Sequence, residues 1–240
     1  MGNVSEPRNL AGSGQMFDIE SPMAIELRRI MIRLSRHLDF DRKRALMVTS
    51  AQRGEGKSLF ALHFSLVLAY HMAKRIVLVD ADVRRPVQHG VFEVDLAPGF
   101  ANALAGEMSA TKAVRKTSIK NLDFMSAGRV EGNPSRLFGG QSVRRLVEEL
   151  HGTYDLVLLD SPPVVPVSDP LHYLDAVDGC LYMVMAGQTP RDGSKRGVEI
   201  LRSAGANILG LVANNLGEVL PYYYDQKYYG YESSKKARKA

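Results

Sequence analysis

Hydrophobic residues in this chain form short, nearly continuous runs that alternate with stretches of helical spacing. The runs are rich in Val, Leu and Ile, which is typical of strands buried on both faces of a parallel sheet. They lie at Ala45–Thr49, Arg75–Val79, Leu122–Ser126, Tyr154–Leu159, Cys180–Met185 and Leu209–Ala213. Helical patterns lie between them, at Lys57–Met72, Gln141–His151 and Lys195–Ala204. This alternation predicts an α/β fold with a doubly wound, mainly parallel sheet.

Both ends of the chain depart from the alternating pattern. Residues 1–20 are rich in Gly, Ser, Asn and Pro, which predicts a mobile tail. Apolar residues at helical spacing then predict a first helix, and they are Leu27, Ile30, Met31, Leu34 and Leu38. The last twenty residues, from Pro221, break from the pattern again. We therefore expect a tail at 1–20, a folded domain at 21–220 and a second tail at 221–240.

The junction between the first predicted strand and the next helix carries a phosphate-binding motif. Residues 51–58 read Ala-Gln-Arg-Gly-Glu-Gly-Lys-Ser. Gly54 and Gly56 allow successive backbone N–H groups to turn toward phosphate oxygens without an intervening side chain. Lys57 can reach the outer phosphates, and Ser58 can give a hydroxyl ligand to Mg²⁺. The helix begins where the positive end of its dipole faces the anion, so the motif predicts nucleotide binding.

Carboxylates follow two further predicted strands. Asp80 and Asp82 come after Ile76–Val79, and Asp160 comes after Leu156–Leu159. An acid after several apolar residues is costly to bury unless it is paired or lies near a metal. Since ligands bind at the carboxyl ends of parallel strands, the three aspartates are expected beside the phosphate loop. Each aspartate taken alone could instead cap a turn or a helix.

Composition narrows the class of protein. At 240 residues and 45% hydrophobic, the chain can bury a large core as one domain. No apolar stretch has the roughly 18–20 residues of a membrane span, and no secretory signal is visible, so we expect a cytoplasmic protein. The single cysteine, Cys180, lies in an apolar run and is expected to be buried. No nucleic-acid-binding signature is present.

The net charge of +5 leaves two interpretations open. Basic residues are concentrated in the predicted first helix and at the C-terminus, and they are Arg28, Arg29, Arg33, Arg36, Lys235, Lys236, Arg238 and Lys239. A solvated surface accounts for such an excess. Attraction to an anionic membrane or polymer also accounts for it.

The three motifs together resemble the bacterial tyrosine kinases, the P-loop autokinases of capsule and exopolysaccharide export. The matching stretches are Thr49–Ser58, Val77–Pro86 with its Asp-x-Asp-x-Arg pattern, and Tyr154–Pro163. Smaller family-like stretches are Pro98–Gly106, Asn133-Pro134-Ser135, Val167-Ser168-Asp169 and Gly187–Thr189. The resemblance covers about residues 21–231 and implies a P-loop NTPase fold of the deviant Walker, MinD-like group.

The resemblance also implies phosphoacceptor tyrosines near the C-terminus. Six of the ten tyrosines follow Pro221, and they are Tyr222, Tyr223, Tyr224, Tyr228, Tyr229 and Tyr231. A sticky interaction patch is the other interpretation of such a cluster. With kinase motifs upstream, we interpret it as a flexible acceptor tail.

Site roles follow from the resemblance together with the motifs. Catalysis is assigned to Lys57, Asp80, Asp82 and Asp160, and Mg²⁺ binding to Ser58, Asp80 and Asp160. ATP binding is assigned to Gln52, Arg53, Gly54, Glu55, Gly56, Lys57, Ser58, Leu59, Arg84 and Asn214, of which Asn214 resembles an adenine-contacting residue. The resemblance further implies homo-oligomers, a transmembrane polysaccharide co-polymerase as activator, recruitment to the inner face of the plasma membrane, and a cognate tyrosine phosphatase.

The chain departs from the family pattern at a few positions. Of the helical Glu-x-x-Arg-x-x-Arg assembly motif, Glu26 and Arg29 are present, but Ile32 replaces the second arginine. Arg136 stands where relatives tend to have Glu. Two rival interpretations are a MinD- or ParA-like ATPase switch and an ATP-bound adaptor that is no kinase. The switch proteins carry a second lysine five residues before the loop lysine, and Gln52 occupies that place here.

Overall fold

The computed structural model describes residues 8–9, 16–139 and 141–215. The strands are β1 (Arg8–Asn9), β2 (Met16–Phe17), β3 (Arg44–Ser50), β4 (Ile76–Asp80), β5 (Arg115–Lys116), β6 (Leu122–Met125), β7 (Leu156–Asp160), β8 (Gly179–Met185) and β9 (Ile208–Asn214). The α-helices are α1 (Pro22–Leu34), α2 (Lys57–His71), α3 (Gln88–Val91), α4 (Phe100–Leu104), α5 (Ala110–Ala113), α6 (Ser142–His151) and α7 (Arg191–Ser203). Two 3₁₀ helices span Pro134–Leu137 and Asp169–Ala176.

Seven strands form one sheet in the order β5-β6-β4-β7-β3-β8-β9. Every neighbouring pair is parallel except β5 and β6. The strand β7 lies between β3 and β4, although it follows both of them in the chain by many residues. The carboxyl ends of β3, β4 and β7 therefore meet at one edge of the sheet, where ligands bind in folds of this type.

Both faces of the five central strands are buried, as the continuous apolar runs predict, but the edge strand β9 is only partly buried and its Leu211 is 65% exposed. Alternate residues of β3 point to opposite faces, so that Met47 joins one hydrophobic cluster and Leu46 the other. The helix α2 packs on the second face and is itself covered by α1. The helix α6 packs on the first face. The fold is thus a doubly wound α/β sheet, which confirms the predicted fold class.

The predicted elements differ from the observed ones mainly in small local features. Each of the six predicted strands is present, with ends within a few residues. The pattern predicted neither the short antiparallel edge strand β5 nor the one-turn helices α3, α4 and α5. The helix α7 begins at Arg191, four residues before the predicted Lys195. The prediction missed its first turn because Gly193 and Gly197 dilute the helical pattern of the sequence.

The described part of the chain contains no helix with the length and hydrophobicity that crossing a bilayer requires. Cys180 is fully buried, which confirms its predicted place in the core. The predicted boundaries between tails and domain stay predictions. The tyrosine cluster after Pro221 lies outside the described residues.

Candidate active site

The loop between β3 and α2 has the conformation that its glycines allow. Gly54 and Gly56 have φ of +78° and +88°, values that side chains other than glycine rarely adopt. Gly56 is the residue before α2, which starts at Lys57. The strand, the tight loop and the helix thus follow one another as the sequence predicts. This arrangement leaves the first N–H groups of a 15-residue helix open to an anion.

A buried glutamate stabilises the loop from within. Glu55 is 3% exposed, and its Oε2 accepts a hydrogen bond of 2.7 Å from the backbone N–H of Gln52. Its Oε1 accepts a hydrogen bond from the hydroxyl of Thr189. Thr189 belongs to the family-like stretch Gly187–Thr189, so the structure gives that stretch a contact with the phosphate loop. The carboxylate of Glu55 thus faces the protein, and the predicted contact of Glu55 with nucleotide stays a prediction for its backbone N–H.

Asn214, at the end of β9, lies against the same loop. Its Nδ2 donates a hydrogen bond of 3.3 Å to the backbone carbonyl of Glu55. A Cβ atom added to Gly56 would lie 2.1 Å from this nitrogen, so a larger residue there would displace the Asn214 side chain. Asn214, Gly56 and Leu59 also line a cavity of about 500 Å³ between α1, α2 and the ends of β8 and β9. The remaining lining side chains are mostly apolar.

The strand register places Asp80 and Asp160 side by side. They are paired residues of the neighbouring strands β4 and β7, and neither is exposed. Asp80 Oδ2 accepts hydrogen bonds from the backbone N–H groups of Val87 and Gln88, at 3.2 and 3.1 Å. Burial, and then the charge of Asp160, raises the pKa of Asp80 well above its ordinary value. Two buried carboxylates at paired positions of neighbouring strands are suited to a cation.

The two carboxylate oxygens of Asp160 differ in their hydrogen bonds. Its Oδ2 accepts a hydrogen bond of 2.9 Å from the side-chain amide of Gln88. Its Oδ1 is buried and makes no hydrogen bond of normal geometry among the described residues, although the hydroxyl of Ser58 is close enough to stabilise the charged carboxylate. Burial raises the pKa of Asp160 to about 6, while Ser58, Gln88 and Lys57 oppose the rise.

The loop lysine lies within reach of the charge of these acids. Lys57 is 7% exposed, and its Nζ lies 3.5 Å from the carbonyl oxygen of Gln52. Burial lowers the pKa of Lys57, and the negative charges of Asp160, Asp82 and Glu55 counteract this effect. Among the described residues no carboxylate forms an ion pair with Lys57, so its buried ammonium group is suited to a phosphate oxygen.

The oxygen donors at this sheet edge fit Mg²⁺. Asp160 is paired with Asp80 on the neighbouring strand and lies near the hydroxyl of Ser58, and all three side chains offer hard oxygen ligands. The described residues contain no cluster of three or more His, Cys, Asp or Glu side chains that could enclose a metal. Mg²⁺ typically takes one or two carboxylates and completes its shell with water and phosphate, so such a cluster is not needed.

Asp82 and Arg84 occupy the turn that follows β4. Asp82 is half-buried, and its Oδ1 accepts hydrogen bonds from the backbone N–H groups of Arg84 and Arg85. Arg84 makes a two-bond ion pair with buried Asp169, at 2.6 and 2.9 Å, and also donates to Ser135 Oγ. The guanidinium group predicted to bind nucleotide therefore joins two other family-like stretches. Its contact with nucleotide stays a prediction.

Two residues that sequence reasoning missed support this turn. Gln88 is 1% exposed and contacts Asp80, Asp160 and the carbonyl of Ser58. The hydroxyl of buried Tyr173 donates to the carbonyl of Ala81, between the two aspartates. A glutamine beyond the motif and a lone tyrosine carry no distinctive sequence signal. Only the fold brings them to the site.

The remaining assigned residues lie at the surface of the loop and of the first turn of α2. Gln52, Arg53 and Leu59 are exposed, where a bound nucleotide could reach them. Fold and site together define a P-loop nucleoside triphosphatase.

Comparison with known proteins gives the same class. A family model described as ParA, NUBPL iron-transfer P-loop NTPase, matches residues 41–239. The septum site-determining protein MinD from Pyrococcus horikoshii, solved with Mg-ADP, superposes with a TM-score of 0.63 at 21% identity, covering 73% of this chain and 72% of that one. At this identity the likeness concerns the fold alone.

Closer relatives are tyrosine kinases. The tyrosine-protein kinase YwqD of Bacillus subtilis is 30% identical over 187 residues, or 78% of each protein. The kinase domain of the Escherichia coli tyrosine kinase ETK superposes with a TM-score of 0.74 at 25% identity. The match covers 89% of this chain and 84% of the ETK domain. The chain belongs to the bacterial tyrosine-protein kinases, within the ParA group of P-loop NTPases.

Proposed function

We propose that this chain is an ATP-dependent autokinase. It phosphorylates tyrosines in the C-terminal segment of the same protein, including the C-terminal segment of a neighbouring subunit. The observation that carries the proposal is the meeting of Lys57, Asp80 and Asp160 at one edge of the sheet. Family membership supports tyrosine as the acceptor. The proposed acceptors are Tyr222, Tyr223, Tyr224, Tyr228, Tyr229 and Tyr231, which lie outside the described residues.

The loop supports a specific placement of ATP. The backbone amides of Gly54–Ser58 and the ammonium group of Lys57 bind the phosphates and stabilise charge on them during transfer. The base lies in the 500 Å³ cavity beside Asn214, where apolar side chains of α1 and α2 offer it a packing surface. Ser58, Asp80 and Asp160 hold Mg²⁺, which offsets phosphate charge when it is bound.

Asp82 is the proposed general base of the transfer. A tyrosine hydroxyl has an ordinary pKa near 10, so it needs a proton acceptor at neutral pH. The hydroxyl oxygen bonds to the γ-phosphorus while the bond from that phosphorus to the β–γ bridging oxygen breaks. The hydroxyl proton passes to the carboxylate of Asp82, and ADP leaves with the bridging oxygen. One oxygen of Asp82 accepts hydrogen bonds from two backbone N–H groups, which fixes the orientation of the carboxyl group.

The cellular role that this activity fits is control of capsular or exopolysaccharide synthesis and export. In that role the chain acts with a transmembrane co-polymerase that activates it and recruits it to the inner face of the plasma membrane. It assembles with copies of itself, and a tyrosine phosphatase reverses its modification. Each added phosphate brings about 1.5–2 negative charges, so successive phosphorylation repels the tail from an acidic site.

Mass spectrometry of the purified protein with Mg-ATP tests the proposal. We expect phosphate on residues 222–231, none in Lys57→Met, and none in a variant with all six tail tyrosines changed to Phe. Mixing Lys57→Met with a wild-type protein that lacks its tail tests transfer between subunits. Phosphate on the tail of the Lys57→Met protein in that mixture demonstrates transfer from one subunit to another.

A negative result is informative only with a binding control. If ATP binds and a cytoplasmic activator segment is present, but no tyrosine gains phosphate, the autokinase proposal is wrong. Release of inorganic phosphate would then favour an ATPase switch of the MinD or ParA kind. ATP binding without turnover would favour the adaptor.

A further inference from the structure

Gln88 connects three parts of the site that are far apart in sequence. Its side-chain nitrogen donates hydrogen bonds to the carbonyl of Ser58 at 2.8 Å and to Asp160 Oδ2 at 2.9 Å. Its backbone N–H donates to Asp80 Oδ2 at 3.1 Å. An amide nitrogen carries two hydrogens, and both are used here. With 1% exposure, the side chain is shielded from competing water.

These contacts make the two oxygens of Asp160 unequal. Gln88 engages Oδ2, while Oδ1 is buried, makes no hydrogen bond of normal geometry among the described residues, and has the hydroxyl of Ser58 nearby. A carboxylate held by a donor on one oxygen cannot rotate freely, so its other oxygen keeps a fixed direction. Residues that orient metal ligands in this way typically contribute 10–100-fold to metal affinity or activity.

We propose that Gln88 is a positioning residue that directs Oδ1 of Asp160 toward Mg²⁺ and ties this carboxylate to the phosphate loop through the carbonyl of Ser58. Because one amide group bonds both partners, the loop and the metal ligand keep a fixed relative position. The side-chain amide of Gln88 therefore couples nucleotide binding to Mg²⁺ binding. This inference rests on the proposed Mg-nucleotide site, but not on tyrosine as the acceptor.

A purely structural role for Gln88 makes a different prediction. If its two bonds only support the packing of the turn after β4, their loss lowers stability and weakens nucleotide binding equally with and without Mg²⁺. A positioning role instead concentrates the loss in the condition with Mg²⁺. The ratio of the ADP dissociation constants in EDTA and in excess Mg²⁺ separates the two roles without measuring activity.

The experiment measures ADP affinity of wild type and Gln88→Met under both conditions. Methionine has a similar length but no donor. We expect the Mg²⁺-dependent gain in affinity to fall by about 10-fold or more, and affinity in EDTA to stay within about twofold. Val87→Ala is the matched control, because this neighbouring side chain is 53% exposed and its backbone bond to Asp80 is retained. It should keep the wild-type ratio.

A double-variant cycle tests whether Gln88 acts through Asp160. In an Asp160→Asn background, Gln88→Met should change the affinity with Mg²⁺ by less than about twofold. Gln88→Asn is the second variant should Gln88→Met fail to fold. Its amide is one methylene shorter and cannot reach both acceptors, so it should show the same selective loss.

Two results would overturn the inference. One is a full Mg²⁺-dependent gain in folded Gln88→Met or Gln88→Asn, and the other is an equal loss of affinity in EDTA. If wild type itself bound ADP no better with Mg²⁺, the proposed Mg-nucleotide site would fail together with this inference. Tight Mg-ADP binding without tyrosine phosphorylation would contradict the proposed function and leave the role of Gln88 intact.

Discussion

At the residue scale, Gly56 shows how the loop depends on one missing side chain. Alanine at either loop glycine must adopt positive φ, at a cost of about 1–2 kcal/mol. At Gly56 its Cβ would also meet Asn214 Nδ2 at 2.1 Å, whereas no atom lies within 4 Å at Gly54. We expect Gly56→Ala to lower the free energy of unfolding by about 1 kcal/mol more than Gly54→Ala, since the Asn214–Glu55 hydrogen bond is lost.

Denaturant unfolding of the protein without nucleotide measures this difference. Adding Asn214→Ala removes the side chain that the new Cβ would meet. In that background the two glycine variants should be equally stable. A difference that persists there would show that the clash with Asn214 is not its cause.

Cys180 gives a pH prediction at the same scale. Burial raises the pKa of its thiol from 9.0 to about 11. The folded state therefore holds this proton more tightly than the unfolded state. The resulting stability is complete below pH 9 and is lost as pH rises toward 11, with a total on the order of 2 kcal/mol.

The comparison with Cys180→Ala isolates this contribution, because buried tyrosines titrate equally in both proteins. The free energy of unfolding of wild type minus that of the variant should fall between about pH 8 and pH 11. A difference that does not change over this range would contradict the raised pKa. The same burial predicts slow reaction of the native thiol with an aromatic disulfide reagent at pH 8.

At the element scale, the ion pair of Arg84 with Asp169 joins the turn after β4 to the 3₁₀ helix Asp169–Ala176. Asp169 is 1% exposed, so loss of its partner leaves a buried charge without compensation. We expect Arg84→Met to cost about 3 kcal/mol of unfolding free energy. In an Asp169→Asn background the same change should cost much less, because no buried charge remains.

Nucleotide affinity in these variants decides what Arg84 does. If it acts through Asp169, then Arg84→Met and Asp169→Asn should weaken ADP binding to a similar degree. Loss in Arg84→Met alone would support direct contact with the nucleotide, as the sequence interpretation has it. Calorimetric titration at one Mg²⁺ concentration provides the comparison.

The elements also show how far local sequence information reaches. Apolar runs and the loop motif predicted β3, α2, β4 and β7, because burial on both faces leaves a continuous hydrophobic signal. The order of the strands depends on long-range contacts, so the pattern did not predict that β7 separates β3 from β4. The short strand β5 buries too little to leave a periodic pattern.

The residues of the candidate site also fall into two groups, those that local sequence predicts and those that only long-range contacts bring to the site. Lys57, Asp80 and Asp160 were predictable because each follows a strand in a recognisable motif. Gln88 was not predictable, since its role arises from three bonds to residues 8, 30 and 72 positions away. The bonds of the Glu55 carboxylate were not predictable either, because Thr189 engages it from 134 residues away. The predicted contact of Glu55 with nucleotide stays a prediction.

At the scale of the whole molecule, the site is assembled from distant parts of the chain. The loop after β3, the ends of β4 and β7, Thr189 and Asn214 all converge on one edge of the sheet. A ligand that bonds several of them should stabilise the entire domain rather than one loop. At 100 times its dissociation constant, Mg-ADP should add about 2.7 kcal/mol to the free energy of unfolding.

In a domain of this size, that gain corresponds to a rise in melting temperature of about 5–10 °C. With EDTA in place of Mg²⁺ the rise should be smaller, because the two buried carboxylates then face the phosphates with no cation between them. Lys57→Met should show little rise in either condition. Thermal unfolding at fixed ADP concentration tests all three expectations, and equal rises with and without Mg²⁺ would refute the assignment of Asp80 and Asp160 as metal ligands.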